Sequence, residues 1–317
     1  MPRVSVVVPT YNPGDLLTRS LGSVLAQSMT DLEVVVVDDG SRERQEWVAD
    51  LDPRVTYVRQ DNRGVSVARN VGVSAARSDW VAFLDQDDEW LPDKLAMQLD
   101  LVAAQPRAAF CCTGFDWVRA DGSVHGDPEQ LTYRGLLSTQ SALLSSVLIA
   151  RDDYEAVGGH DPLLVQMQDW DLFLRLTMGG RDPVMVPERL VRYHLHGENA
   201  SRDYVTAMRE RLAVLDRHEA RARRRGDGMT LAAIDRGRRR TRELFAHQAV
   251  DAARDGARDH DGRAVLAHGA RAGRLSPTVV ATAVGQALAS RLPRRTTTTA
   301  SMPGSGAASA SASGEGE

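Results

Sequence analysis

The sequence predicts an α/β fold, a sheet of parallel strands covered by helices on both faces. Three observations predict it. Short β-branched runs occupy 4–8, 32–37, 55–59 and 80–84, with helix-length segments among them. The runs are almost continuously apolar instead of alternating, as in strands buried on both sides. Strand, helix, strand at intervals of roughly 25 residues is the doubly wound pattern, which binds ligands at the carboxyl ends of its strands.

The elements follow in order. Val4-Ser-Val-Val-Val8 is a strand that stops at Pro9. Leu16, Leu17, Leu21, Val24 and Leu25 share one face at helical spacing, a helix over 16–27. Residues 32–37 form a second strand, ending in Asp38-Asp39-Gly40-Ser41. A shorter strand covers Val55–Arg59, and a fourth, Trp80–Leu84, runs into Asp85. Beyond Phe110 the pattern is less regular. Residues 141–150 are apolar but too short to cross a membrane. Residues 166–178 read as a helix and 184–196 as a strand leading to His194 and His196. From 202 to 225 and from 229 to 275, Ala, Leu and Arg recur at helical spacing. Residues 296–317 have the Thr, Ser, Ala and Gly composition of a disordered tail.

Charge divides the chain of 317 residues. Residues 1–204 carry 19 basic and 31 acidic side chains, and 205–295 carry 20 arginines against 10 acids. The acidic first part argues against a nucleic-acid binder. Lys94 is the only lysine, a bias that suggests a GC-rich, bacterial coding sequence. Cys111 and Cys112 are adjacent, a poor disulfide pair without metal-knuckle spacing. No export signal precedes the first strand and no run reaches about 18 apolar residues, so the expected location is cytoplasmic. The Arg-rich 205–295 region reads as a solvated or packed helical face; peripheral contact with the inner face of a membrane is the other reading.

The chemistry-bearing residues lie where the strands end. Asp85, Asp87, Asp88 and Glu89 put four acids in five residues. Like charges about 6 Å apart repel by roughly 3 kcal/mol at an effective dielectric of 20. Such a group calls for a divalent cation, a shared proton or full solvation. Asp38 and Asp39 read as a turn, or as acceptors for a nucleobase or ribose. Arg63 and Arg69 suit a phosphate or carboxylate, and Gly64 allows a positive φ. Asp169 and Asp171 are helix caps, or a general base if one faces the cleft. Neither a Walker loop nor a Gly-x-Gly-x-x-Gly fingerprint follows a strand, which disfavours kinases and dehydrogenases.

Taken in order, these motifs resemble family 2 glycosyltransferases over about residues 3–201. They are Val4–Asn12, Val34-Val-Val-Val-Asp-Asp-Gly-Ser41, Asn62-Arg-Gly64, Ala68-Arg-Asn-Val-Gly72, Phe83-Leu-Asp-Gln-Asp-Asp-Glu-Trp90 and Gln168-Asp-Trp-Asp171. The resemblance implies the GT-A fold: a nucleotide-binding mixed sheet flanked by helices, here with a C-terminal helical extension. The implied division is a catalytic domain over 1–204, with a nucleotide-sugar half to about 110 and an acceptor half from 111, followed by the extension over 205–295.

The resemblance also implies roles. Pro9, Thr10 and Tyr11 border the nucleobase, and Asp39 accepts a hydrogen bond from it. Arg69 lies near the nucleotide, and Asp85 near the ribose and metal. Asp87 holds Mn²⁺ or Mg²⁺, with His196 helping. Asp169 is the catalytic base, although Gln168 stands where the family usually has Glu. The implied reaction moves a hexosyl or N-acetylhexosaminyl group, with inversion, from a nucleoside diphosphate sugar, usually of UDP. The acceptor would be a glycan, lipid-linked or small-molecule hydroxyl, as in polysaccharide biosynthesis. The rival readings are a nucleotidyltransferase-like enzyme and a non-catalytic sugar-nucleotide or glycan-binding module.

Overall fold

The computed structural model describes residues 1–119, 122–126, 131–139, 142–195 and 203–291. Its strands are β1 (Val4–Thr10), β2 (Leu32–Asp38), β3 (Val55–Arg59), β4 (Trp80–Phe83), β5 (Glu89–Trp90), β6 (Cys111–Arg119), β7 (Gly122–Gly126), β8 (Leu148–Ala150) and β9 (Val184–His194). They form one sheet in the order β3-β2-β1-β4-β8-β6-β9-β5, with β7 paired to β6. The first four are parallel. β8 runs antiparallel to β4 and β6. β9 is parallel to β6, and β5 antiparallel to β9. The sheet is therefore mixed, with the parallel half carrying the strand ends singled out above.

The helices of the first part are α1 (Leu16–Leu25), α2 (Val65–Ala75), α3 (Lys94–Ala104), α4 (Tyr133–Ser138), α5 (Arg151–Ala156) and α6 (Gln168–Thr177). Side chains alternate across the sheet. Val4, Val6 and Val8 pack with Leu17, Leu21 and Leu95 on one face. Val7 and Phe83 pack with Val73, Trp170 and Phe173 on the other. Burial on both faces explains the continuous apolar runs.

β1 continues through Pro9 to Thr10 instead of stopping before it. Its pairing with β4 ends at Val7, while pairing with β2 runs on to Thr10. At Pro9 only one neighbour remains, so a missing N–H is tolerated.

The helical extension comprises α7 (Tyr204–Arg225), α8 (Gly228–Arg258), α9 (Gly262–Leu275) and α10 (Pro277–Arg291). It shares the first part's core: Val214, Leu215, Ala233 and Ile234 pack with Leu136, Leu137 and Trp170. A Cβ on Gly237 of α8 would meet the Leu137 carbonyl oxygen at 2.2 Å, so the α8 backbone passes directly over α4. Many of its arginines pair locally, Arg223 with Glu219 and Arg238 with Glu219 and Asp216 among them. No described helix is long and apolar enough to cross a membrane. The expected tail over 296–317 lies outside the described residues.

Candidate active site

The carboxyl ends of β1, β2 and β4 lie side by side, and their loops are tied together. Gln86, between Asp85 and Asp87, accepts at Oε1 from Thr10 Oγ1 (2.8 Å) and from the Tyr11 amide (2.9 Å). Its Nε2 donates back to the Tyr11 carbonyl. The Asp39 amide donates to the Thr10 carbonyl at 2.8 Å. Asn12 adopts φ 45°, a left-handed conformation that Asn tolerates. There its amide donates to Ser41 Oγ, and its Oδ1 accepts from the Arg42 amide. Pro9 and Thr10 are buried, while Tyr11 is 48% exposed.

The two aspartates at the end of β2 divide their work. Asp38 is buried and accepts from Tyr57 Oη, Arg59 Nη1 and the Ser41 amide. It fastens the sheet edge. Asp39 accepts from Gln60 Nε2 and the Arg63 amide at Oδ1, and from the Gly64 amide at Oδ2. A carboxylate offers about four lone-pair sites, so one remains on Oδ2.

Arg69 of α2 joins the acidic strand end to α6. Its Nη2 meets Asp85 Oδ1 at 2.7 Å, and its Nη1 meets Asp169 Oδ1 at 2.8 Å. The guanidinium is 3% exposed. Burial works against its charge, but Asp169 and Asp85 outweigh that and hold it firmly protonated. Burial likewise pushes the Asp169 carboxyl up; Arg69 and His160 overcome this and leave it below the usual carboxylate range. For Asp85 the balance tips the other way. Burial, with Asp169 and Asp87 beside it, raises its pKa despite Arg69.

A buried network absent from the sequence-based list supports Asp169. His160 Nε2 lies 3.2 Å from Asp169 Oδ1, and its Nδ1 lies 2.7 Å from Tyr154 Oη. Asn70 Nδ2 donates to the His160 carbonyl, and Asn70 Oδ1 accepts from the His160 amide. Two left-handed glycines, Gly158 and Gly159, precede His160. A Cβ on Gly159 would stand 2.6 Å from Asn70 Oδ1. That glycine pair before a histidine was the one sequence signal for this corner. Both side-chain partners of Asp169 fall on Oδ1; among the described residues no hydrogen bond reaches Oδ2.

The residues after Asp85 are strongly acidic. Asp88 is fully buried, with Ser145 Oγ donating to Oδ2 at 2.5 Å and a hydrogen bond from the His194 backbone also favouring its charged form. Burial and the neighbouring Asp85 and Asp87 push its carboxyl well above the usual range. Arg19 donates to the Asp87 carbonyl and pairs with Glu89 at 2.9 Å. Asp85 and Asp87 offer hard oxygen donors of the kind a divalent cation takes, but among the described residues no three acids or histidines are grouped to hold one. His196 lies outside the described residues; its neighbour His194 ends β9, 3.4 Å from Glu89 Oε2. The fold thus brings Thr10, Tyr11, Asp39, Arg69, Asp85 and Asp169 into one connected edge.

Residues 5–141 match the family model for Glycosyl transferase family 2. TuaG of Bacillus subtilis strain 168, a glycosyltransferase named for teichuronic acid biosynthesis, is 33% identical over 210 residues. That match covers 63% of this chain and 82% of TuaG. The chain belongs to glycosyl transferase family 2.

The transferase is also 30% identical over 210 residues to WcaA of Escherichia coli K12, named for colanic acid biosynthesis. That match covers 62% of this chain and 74% of WcaA. Among solved structures it resembles residues 1–349 of S. aureus TarS in complex with UDP-GlcNAc, at a TM-score of 0.57 and 16% identity. The likeness covers 82% of this chain and 88% of that one. A longer TarS chain is matched over 39% of its length, at a TM-score of 0.55. These likenesses show the GT-A fold, with its sheet and flanking helices.

Proposed function

We propose that this transferase moves a sugar, with inversion, from a UDP-sugar of the UDP-GlcNAc type to a hydroxyl on a cell-surface polysaccharide precursor. Asp169 is the general base. The observation that carries this reading is the split environment of its carboxylate. Arg69 and His160 hold Oδ1 and keep the group ionised, which leaves Oδ2 to meet the incoming hydroxyl. An alcohol is a poor nucleophile until its proton is taken during attack, a step worth about 10²–10⁴-fold.

The donor assignment is supported by the complex of TarS with UDP-GlcNAc. The acceptor class is supported by the polysaccharide pathways for which TuaG and WcaA are named. Tyr11 packs on the base and Asp39 Oδ2 accepts from its imide. Arg69 sets the distance between the nucleotide side and the base. Asp87, with Asp85 beside it and His196 contributing, would hold Mn²⁺ or Mg²⁺. Such an ion supplies Lewis-acid stabilisation of the leaving diphosphate.

The test is UDP release from UDP-GlcNAc with Mn²⁺ or Mg²⁺, read beside UDP binding by calorimetry. Asp169→Asn is expected to lower release by about 10²–10⁴-fold while UDP binding stays within about twofold. Asp87→Ala is expected to weaken metal-dependent UDP binding. Turnover unaffected by Asp169→Asn would sink the base assignment. UDP-GlcNAc binding without UDP release in the wild type would instead favour a site that only binds sugar nucleotides.

A further inference from the structure

Helix α7 of the extension grips the loop that leads into Asp169. The loop starts after His160, at Asp161, and ends at Met167, the residue before α6. Glu210 of α7 accepts three consecutive amides from it. Val165 donates to Oε1 at 2.8 Å; Gln166 and Met167 donate to Oε2 at 2.8 and 2.9 Å. At the other end of the loop, Arg217 Nη1 pairs with Asp161 Oδ2 at 2.9 Å. Between them, Arg211 stacks its guanidinium 4.4 Å over the ring of Trp170, next to Asp169, and donates to Thr241 Oγ1.

Side chains anchor this loop at two points, Leu164 in the main core and Met167 against that core and the cluster around Tyr204 and Phe245. Leu164 is its one buried side chain; Leu163 and Val165 are 82% and 61% exposed. At 165–167 the backbone itself is held by the Glu210 carboxylate. Val165 and Gln166 precede α6 and Met167 is its N-cap, so none of the three amides has an intrahelical acceptor. A carboxylate there satisfies them and meets the positive end of the helix dipole.

We propose that Glu210 and Arg217 are positioning residues of the transferase. They fix the 161–167 loop, and so the placement of Asp169 against its acceptor, from a helix outside the sheet domain. The extension is then part of the active site. This inference rests on the reading of Asp169 as the base.

The experiment uses the full chain. Amide hydrogen exchange is followed over 161–168 in the wild type, Glu210→Gln and Glu210→Ala. UDP release from UDP-GlcNAc with Mn²⁺, water serving as acceptor, is measured on the same samples. Glu210→Ala is expected to speed exchange at 165–167 by tenfold or more, while the amides of β1 and α3 keep their rates. Its kcat is expected to fall about tenfold with KM for UDP-GlcNAc unchanged. Glu210→Gln retains one acceptor oxygen in the same shape and is expected to fall between. Unchanged exchange in Glu210→Ala overturns the clamp, and faster exchange with unchanged kcat overturns its link to catalysis. Should Glu210→Ala not fold, equal exchange and kcat in Glu210→Gln and wild type overturn the proposal. Asp169→Asn is run in parallel. If it keeps full UDP release, the base reading has failed. If it loses release while the Glu210 variants do not, only the clamp has failed.

Discussion

His160 and Asp169 stand 3.2 Å apart, imidazole Nε2 to carboxylate Oδ1, at the end of a loop that folds back on itself. Arg69 holds the same oxygen, so the carboxylate is ionised and the hydrogen between the pair belongs to Nε2. Nδ1 lies 2.7 Å from Tyr154 Oη, whose hydroxyl also reaches Asn70 Oδ1 at 2.5 Å. Burial pushes the imidazole down to about 4; the Asp169 hydrogen bond opposes this, while Arg69 and Arg175 add to it. The ring therefore works as a neutral donor throughout the physiological range.

Removing that donor has a readable consequence. With His160→Phe, Asp169 keeps Arg69 but loses one hydrogen bond to its charged form, and its pKa rises. The acid limb of kcat/KM for UDP release is expected to move up by about one pH unit, since a hydrogen bond to a charge is worth about 1.5 kcal/mol or more. His160→Gln, which can still donate, is expected to move it less. Identical acid limbs in His160→Phe and wild type would show that the contact does not tune the base.

Arg69 neutralises two carboxylates at once, and no other described cation touches either. Arg69→Ala leaves Asp85 and Asp169 facing each other without it. The expected loss is about 3–5 kcal/mol, the usual cost of breaking a buried ion pair on one side. Arg69→Lys keeps the charge but has no fork to span both carboxylates, and is expected to fall between. Urea unfolding at pH 7 measures this. Burial raises both carboxyls and Arg69 opposes it, so in Arg69→Ala both protonate more readily than in the wild type, and the deficit should shrink progressively as pH falls from 7.

The approach of α2 to the sheet sets where Arg69 reaches. A Cβ on Gly72, one turn after Arg69, would meet Val7 Cγ1 at 2.3 Å and Cγ2 at 3.1 Å. Val7 is fully buried and has nowhere to retreat. Gly72→Ala is expected to lower stability by about 1–3 kcal/mol, the range for overpacking. The urea midpoint should drop at constant slope. A midpoint equal to wild type would mean that the helix can lift off the strand without cost.

How much of this was legible depended on the range of the forces involved. The parallel strands β1, β2 and β4 were readable because burial on both faces writes itself into each run. The acidic edge was readable because Asp38, Asp39 and Asp85 interrupt those runs abruptly. β8 was not: its three residues pair across the sheet with β4 and β6, and nothing local distinguishes Leu148–Ala150 from a buried helix turn. His160 was not either, since its contact with Asp169 depends on the path set by Gly158 and Gly159. Glu210 looked like one charge among many on a solvated helix. Its role rests on three amides about 45 residues away in sequence.

Lys94, the chain's only lysine, is fully buried on α3. Its Nζ donates to Gln98 Oε1 at 2.8 Å and sits 3.9 Å above the Trp90 ring centre. Among the described residues no carboxylate pairs with it, and burial pulls its pKa down to about 7. In the unfolded chain the same amine stays charged to about pH 10. Above about pH 7, then, the unfolded state holds a proton that the native state has released. Lys94 therefore makes stability rise with pH, by up to about 1.4 kcal/mol per unit. Cys111 works in the opposite direction at higher pH, because burial pushes its thiol up to about 11. That effect begins near pH 8.5, where an unfolded cysteine ionises. The clean window is thus about pH 7 to 8.5. Lys94→Met, of similar length and without a charge, is expected to be more stable than wild type at pH 6.5. The advantage should narrow by roughly 1–2 kcal/mol across the window. Urea unfolding of both proteins at pH 6.5, 7.5 and 8.5 measures it. A constant difference would mean that the amine stays charged in the native state, held by Trp90 and Gln98 despite its burial.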